Sequence, residues 1–246
     1  MITLIIQART GSSRLPRKVL EMLGEKTVLE YLIERVRLSK KVDQIIIATT
    51  DNQKDIEIVN LCKKINIKCF IGHEKNVLKR YYDCAVKYNA SVIVRVTSDC
   101  PFIDPELIDK MLNNYLKSEC DYMSNTTPPE LSFWPDGTDI EIFSFDALKK
   151  TFMECNNDKE KEHVTFYMWK NNNTNFKIAS YKNTENFSKF RFTIDYDEDL
   201  LVAQAITNYL DKNKLRGSVD EIVSFLRENP EIYKINNKYY PGIGWD

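Results

Sequence analysis

The chain has 246 residues, 43% of them hydrophobic, and a formal net charge of −1. That length suits one large α/β domain, with or without an appended lobe, and that apolar share excludes wholesale disorder. The near-neutral balance argues against a general nucleic-acid binder, and no run of about 18 apolar residues offers a membrane span.

The first residues read as a strand without a charged leader, so no signal peptide is expected. Six cysteines (Cys62, Cys69, Cys84, Cys100, Cys120 and Cys155) form no C-x-x-C pair. A zinc site is therefore not expected; these thiols read as small buried groups in a reducing, cytoplasmic compartment.

Ile2 to Ile6 reads as a buried strand that runs into a polar loop. The loop holds Gly11, Ser12 and Ser13, flanked by Arg9, Arg14, Arg17 and Lys18. A small turn amid fixed positive charge suits a polyphosphate, with backbone N–H groups and cations both facing phosphate oxygens. It follows the first strand, and open α/β sheets bind ligands at the carboxyl ends of their strands. Neither a Walker loop nor a G-x-G-x-x-G fingerprint is present.

Thr27 and Glu30 form a capping box for a helix whose core face is Leu29, Leu32, Ile33 and Val36. Ile45 to Ala48 is a second buried strand. Asp51, just beyond it, either caps the helix expected over 52–65 or sits beside a bound nucleotide. Ile67 to Ile71 makes a third strand. Val77, Tyr81, Cys84, Ala85 and Tyr88 form a helical stripe, and Arg80 falls off it. Val92 to Val96 reads as a central parallel strand ending in Thr97, Ser98 and Asp99. Asp104 and Pro105 are an N-cap and N1 pair. Asp99 faces the phosphate loop, where a carboxylate can hold Mg²⁺ that bridges to phosphates.

From about residue 120 to 185 the strand–helix alternation weakens. Asp121 to Ser124 suits a strand. Thr138 to Phe143 alternates at period two, placing Asp139 and Glu141 on one face, either solvated or part of a site. Lys159 to Trp169 is predicted as one helix carrying His163; His73 reads as an unremarkable loop residue. Phe133 and Trp134 suit an acceptor pocket or a dimer contact. Phe190 to Ile194 alternates as a final strand ending at Asp195, followed by a helix from Glu198. Ser218 and Glu221 cap another helix, with Pro230 after its end. The aromatic tail, residues 239–246, reads as packed or as a partner contact.

The run QARTGSSRLPRK (residues 7–18) resembles the opening signature of the sugar nucleotidyltransferases. It is most similar to the cytidylyltransferases of the acylneuraminate and 3-deoxy-manno-octulosonate type, and within them to the spore-coat-polysaccharide branch. V-L-x-R-Y (77–81), S-D-C-P-F-I-D-P (98–105), G-x-D-x-E-x-F (137–143), E-H-V-T (162–165) and T-I-D-x-x-E-D-L (193–200) carry the likeness along nearly the whole chain.

The resemblance implies a Rossmann-like three-layer αβα fold with a mostly parallel mixed sheet, as in GT-A-like nucleotide-sugar transferases. It implies a single domain over 1–246 with an acceptor-binding or dimerisation lobe at about 120–185, and a homodimer. Nucleotide contacts fall on Ala8, Arg9, Thr10, Gly11, Ser12, Ser13, Arg14, Lys18, Asp51, Arg80, Thr97 and Ser98. Mg²⁺ falls on Asp99 and Asp195, catalysis on Arg14, Lys18 and Asp99, and the acceptor on Asp139, Glu141 and His163. The reaction implied is attack by an oxygen of an acidic sugar or small phosphorylated metabolite on the α-phosphate of CTP. Other readings are another nucleoside triphosphate with a sugar 1-phosphate, a glycosyltransferase of the same fold, and a non-catalytic nucleotide-binding scaffold.

Overall fold

In the computed structural model, which describes residues 1–128, 132–170 and 175–239, the first strand β1 (Ile2–Gln7) is buried along its centre. A hairpin follows, β2 (Met22–Leu23) and β3 (Lys26–Thr27), then α1 (Val28–Val36). The Thr27–Glu30 capping box forms as the sequence predicts, and Val28, Leu29, Leu32, Ile33 and Val36 are fully buried. Each such side chain contributes roughly 1.5–3 kcal/mol of burial free energy. The chain continues through β4 (Gln44–Thr50), α2 (Ile56–Lys64), β5 (Lys68–Gly72), α3 (Val77–Lys87), β6 (Val92–Thr97) and α4 (Pro105–Lys117). Then come β7 (Tyr122–Ser124), β8 (Glu141–Ser144), α5 (Phe145–Glu154), α6 (Asp158–His163), α7 (Phe166–Trp169) and β9 (Ile178–Ser180). The chain closes with α8 (Asp197–Asn213), α9 (Val219–Glu228) and α10 (Pro230–Asn236).

Seven strands form one sheet in the order β5-β4-β1-β6-β8-β7-β9. Only β8 runs against its neighbours β6 and β7. The chain builds outward from β1 through β4 to β5, then returns to lay β6 on the other side of β1. The β1/β6 boundary is thus the topological switch point, where loops diverge and leave a crevice at the strand ends. The stretch 120–185 adds β7, β8 and β9 to this same sheet.

One face of the sheet packs on α1, α2 and α4, the other on α3, α5 and α7. A third apolar cluster joins α8 and α9 to Leu15, Leu23, Phe102, Phe190, Phe192 and Ile194. It ties the C-terminal helices to the loop after β1.

Some elements differ from the sequence expectation. The helix predicted over 159–169 breaks at Val164, which has φ 56° and ψ −57°. Thr165 N–H donates to the His163 carbonyl at 2.5 Å, a γ-turn. Burying Val164 and tying the Thr165 hydroxyl to Glu141 at 2.5 Å outweighs continuing the helix. Phe190 to Ile194 is extended but joins no sheet; its one bridge is Arg191 with Asp136. Its polar groups serve a loop and the Asp99 carbonyl, so no ladder can propagate. Pro230 does not merely follow α9 but opens α10 at its first turn. Of the aromatic tail, residues 240–246 lie outside the described residues; Tyr239 stacks on Tyr196 at 4.0 Å between ring centroids.

Candidate active site

The basic loop is hung from one buried carboxylate. Asp55, 3% exposed, accepts from both the N–H and the hydroxyl of Thr10 at 2.7 Å. The Thr10 carbonyl in turn accepts from Ser12 N–H and Arg17 N–H at 3.0 Å. Thr10 is thereby turned inward, and Ser12, Ser13 and Arg14 are left facing the crevice. Val19, 1% exposed, plugs the core and leaves Lys18 beside the strand ends.

Lys18 Nζ donates to Asp99 Oδ2 at 2.8 Å and to Asp195 Oδ1 at 2.9 Å. Arg14 Nη2 donates to the same Asp195 oxygen at 2.8 Å. Asp195 arrives because its segment is stitched to the end of β6: Ile194 N–H donates to the Asp99 carbonyl at 2.8 Å, and the Thr193 hydroxyl does so at 3.2 Å. Burial pushes the Asp99 carboxyl up, and Lys18 more than offsets it, leaving the pKa at about 2. Burial likewise pushes Lys18 down, and Asp99 and Asp195 hold it above its ordinary value.

Arg191 fixes the far wall. It is 4% exposed and bonds Asp199 through Nε and Nη2, both at 2.9 Å, Asp195 at 3.1 Å, and Asp136. Asp199 also accepts from the N–H groups of Asp195 and Tyr196, which sets the start of α8. The 136–139 loop fits against this segment through Gly137, at φ +99°, where a Cβ would lie 2.3 Å from Thr193 N. Burial and the neighbouring Asp139 raise the Asp136 carboxyl, partly against Arg191, to about 7.

These groups open on a cleft of about 500 Å³. Ala8, Arg9, Ser12, Ser13, Arg14, Lys18, Arg80, Thr97, Ser98, Asp99, Asp139, Glu141, His163 and Asp195 all line it. Three expected nucleotide residues do not. Thr10 is held by Asp55, and Gly11 is exposed, with open space where a Cβ would stand. Asp51 is exposed and borders a separate shallow depression with Ile56 and Ile71. The cap of the following turn is Asn52, whose side chain accepts from Lys54 N–H. Arg80, off the apolar stripe of α3, is nevertheless 1% exposed and donates to the carbonyls of His73 and Glu74.

Asp139 and Glu141 differ in role. Asp139 accepts from the Thr126 hydroxyl at 2.7 Å and Gly137 N–H at 2.9 Å. Glu141, 4% exposed, accepts from Tyr122 at 2.6 Å, Thr165 at 2.5 Å and Arg95. His163 stacks on Phe166 at 4.1 Å, and burial, then Arg95, holds its pKa below the ordinary value. Arg95, Asp136, Arg191 and Asp55 were not singled out from the sequence. A lone Arg inside the apolar run over 92–96 was the one available signal, since a buried charge requires a partner.

Among the described residues no three His, Cys, Asp or Glu side chains form a ligand cluster. Asp99 and Asp195 nevertheless share one cation, Lys18, which shows that two hard carboxylates converge on a single point. That donor set fits Mg²⁺, which is commonly held by one or two carboxylates together with substrate phosphates.

A protein of Methanocaldococcus jannaschii, uncharacterized protein MJ1063, is 39% identical, covering 95% of this chain and 93% of its own. The Bacillus subtilis spore coat polysaccharide biosynthesis protein SpsF is 33% identical, covering 94% and 95%. A solved cytidylyltransferase structure from Leptospira borgpetersenii superposes with a TM-score of 0.88 at 31% identity, covering 94% of this chain and 96% of that one. The family model for cytidylyltransferases matches residues 3–237, and the chain belongs to that family of nucleotidyltransferases.

Proposed function

We propose that the protein transfers CMP from CTP to an oxygen of an acidic sugar or small phosphorylated metabolite, making an activated precursor for a surface polysaccharide. The observation that carries this reading is the meeting of Lys18 and Arg14 with Asp99 and Asp195 at the β1/β6 switch point. The acceptor oxygen forms a bond to the α-phosphorus, the bond to the β-phosphate bridging oxygen breaks, and pyrophosphate leaves.

The chain's own groups supply positioning and charge. The loop from Arg9 to Lys18 takes the triphosphate, with Arg14 and Lys18 neutralising charge that develops on it. Arg80, Thr97 and Ser98 line the nucleotide end, and Asp139 and His163 the acceptor end. Asp99 and Asp195 would hold Mg²⁺, which when bound neutralises phosphate charge as a Lewis acid. The likeness to the spore coat polysaccharide biosynthesis protein SpsF supports the polysaccharide role. Free thiols at all six cysteines support a reducing, cytoplasmic setting.

The test is pyrophosphate release from CTP with a panel of acidic sugars and phosphorylated acceptors, with and without Mg²⁺. Release should require one acceptor and Mg²⁺. Asp99→Asn should lose at least about 100-fold in rate while keeping its fold. Normal turnover in that variant would remove the metal assignment.

A further inference from the structure

Arg95 sits in the middle of β6, the central strand beside β1, where most neighbours are apolar. A guanidinium there is costly unless its surroundings satisfy it. Four elements contribute to doing so. Its Nη1 donates to Glu141 Oε2, directly opposite on β8. Its Nε donates to Gln7 Oε1 at 3.3 Å on β1. Its Cζ lies 5.9 Å from the ring centroid of Tyr81 on α3. Glu141 is itself held by the hydroxyls of Tyr122 on β7 and of Thr165 in the turn between α6 and α7. Both Glu141 oxygens are thereby occupied, so Glu141 has little left to offer a substrate.

The guanidinium is not fully used. Its Nη2 has no hydrogen-bond partner among the described residues, and Arg95 lines the cleft. The amide nitrogen of Gln7, whose oxygen is turned toward Arg95, also has no partner among the described residues and borders the same cleft. Both donors are therefore available to a ligand in the cleft.

The triphosphate already has cations of its own. The cations assigned to the triphosphate, Arg14 and Lys18, come from the loop after β1 and are already set against Asp99 and Asp195. Arg95 stands on β6 opposite Glu141 of β8, and Thr126, Thr165 and His163 line the same cleft. Burial, then Arg95, holds the His163 pKa below its ordinary value.

We propose that Arg95, oriented by Glu141 and Gln7, is the acceptor's anion-binding residue, receiving a carboxylate or phosphate oxyanion on Nη2. This rests on the cytidylyltransferase reading above and adds which residue selects a charged acceptor. Glu141 is then a positioning residue and not an acceptor contact.

The test uses the full chain in four forms: wild type, Arg95→Lys, Arg95→Met, and the double variant Arg95→Met with Glu141→Gln. The double variant removes both buried charges together, so it keeps the fold where the single change leaves Glu141 unpaired. Calorimetry with CTP and Mg²⁺ comes first. The CTP-saturated protein is then titrated with 3-deoxy-manno-octulosonate, glucuronate, glucose 6-phosphate and, as neutral control, glucose.

The expected result is that CTP affinity is unchanged in every form. At least one anionic probe should bind wild type more tightly than glucose and lose roughly 10- to 100-fold in both methionine variants. Arg95→Lys should fall between, because it keeps the charge without the fork. Tighter binding of the two carboxylates identifies an acid sugar as the source of the anion; tighter binding of glucose 6-phosphate identifies a phosphate. An anion affinity that survives in the double variant overturns the proposal, as does a wild type that prefers no anionic probe over glucose. A CTP affinity that falls with Arg95 overturns it too, assigning Arg95 to the nucleotide. Failure of wild type to bind CTP at all is a separate result and counts against the cytidylyltransferase reading itself.

Discussion

Lys18 and Asp99 are 81 residues apart in the chain and 2.8 Å apart in space, with Asp195 sharing the same ammonium at 2.9 Å. A cation from the first loop thus sits where two carboxylates from two other segments converge. In the absence of nucleotide it balances their charge. Under the proposed function, Asp99 and Asp195 would hold Mg²⁺ and Lys18 would serve the phosphates, so the lysine and the metal would compete for the same two carboxylates.

This competition has a measurable consequence. In Lys18→Met the two aspartates lose their shared cation, and no lysine competes for the space between them. Mg²⁺ alone should raise the melting temperature of Lys18→Met more than that of wild type, while CTP turnover falls by about 100-fold or more. Equal Mg²⁺ shifts in both proteins would count against the shared site.

Acid should release part of the same interaction. The Asp99 pKa of about 2 lies below its ordinary 3.8. A depressed carboxyl stabilises the fold at pH values above its unfolded pKa, and that stability is lost as pH falls through the folded value. The gap amounts to about 2 kcal/mol, lost between about pH 4 and pH 2. Urea unfolding at pH 6 and pH 2 should show the stability difference between wild type and Asp99→Asn shrinking by about that amount. A difference that is constant with pH would argue against the pairing.

Arg191 has a larger structural role than its place in a loop suggests. It is the shared partner of Asp136, Asp195 and Asp199. Arg191→Met should cost about 3–5 kcal/mol in urea unfolding, because it leaves buried carboxylates facing one another. A loss below about 1 kcal/mol would show that solvent reaches these groups.

Gly137 sets the contact between the 136–139 loop and the Asp195 segment. A Cβ there meets the backbone of Phe192 and Thr193 at 2.6 and 2.3 Å, and its φ of +99° is strained for any other residue. Gly137→Ala should lower stability by about 1–3 kcal/mol and reduce turnover by displacing Asp195. Unchanged melting temperature and rate would contradict that close fit.

Much of this arrangement was legible in the sequence because local chemistry encodes it. The Thr27–Glu30 cap, the Asp104–Pro105 helix start and the apolar runs of β1, β4 and β6 each depend on neighbours in the chain. Arg14 and Lys18 stood out as fixed charge around a small turn, Asp99 as a carboxylate at the end of an apolar strand, and Asp195 through the T-I-D-x-x-E-D-L likeness. What stayed hidden depends on distant partners. Asp55 holds Thr10 across 45 residues, and Arg191 reaches Asp136 across 55. The break at Val164 is set by a hydroxyl bond to Glu141, 24 residues away. The segment after Phe190 alternates like a strand, yet its hydrogen bonds go to a loop and to the Asp99 carbonyl. Glu141 looked like a substrate-facing carboxylate because Arg95, Tyr122 and Thr165 become its partners only on folding.

The most direct test of a CTP-using site is the thermal shift of the protein with CTP, UTP, GTP, ATP and dTTP, each with and without Mg²⁺. CTP at about 100 times its dissociation constant adds about 2.7 kcal/mol, a rise of roughly 5–10 °C for a chain of this size. The expected result is that rise with CTP alone, enlarged by Mg²⁺. A larger rise with another triphosphate, or no rise with any of the five, would contradict a cleft built for CTP.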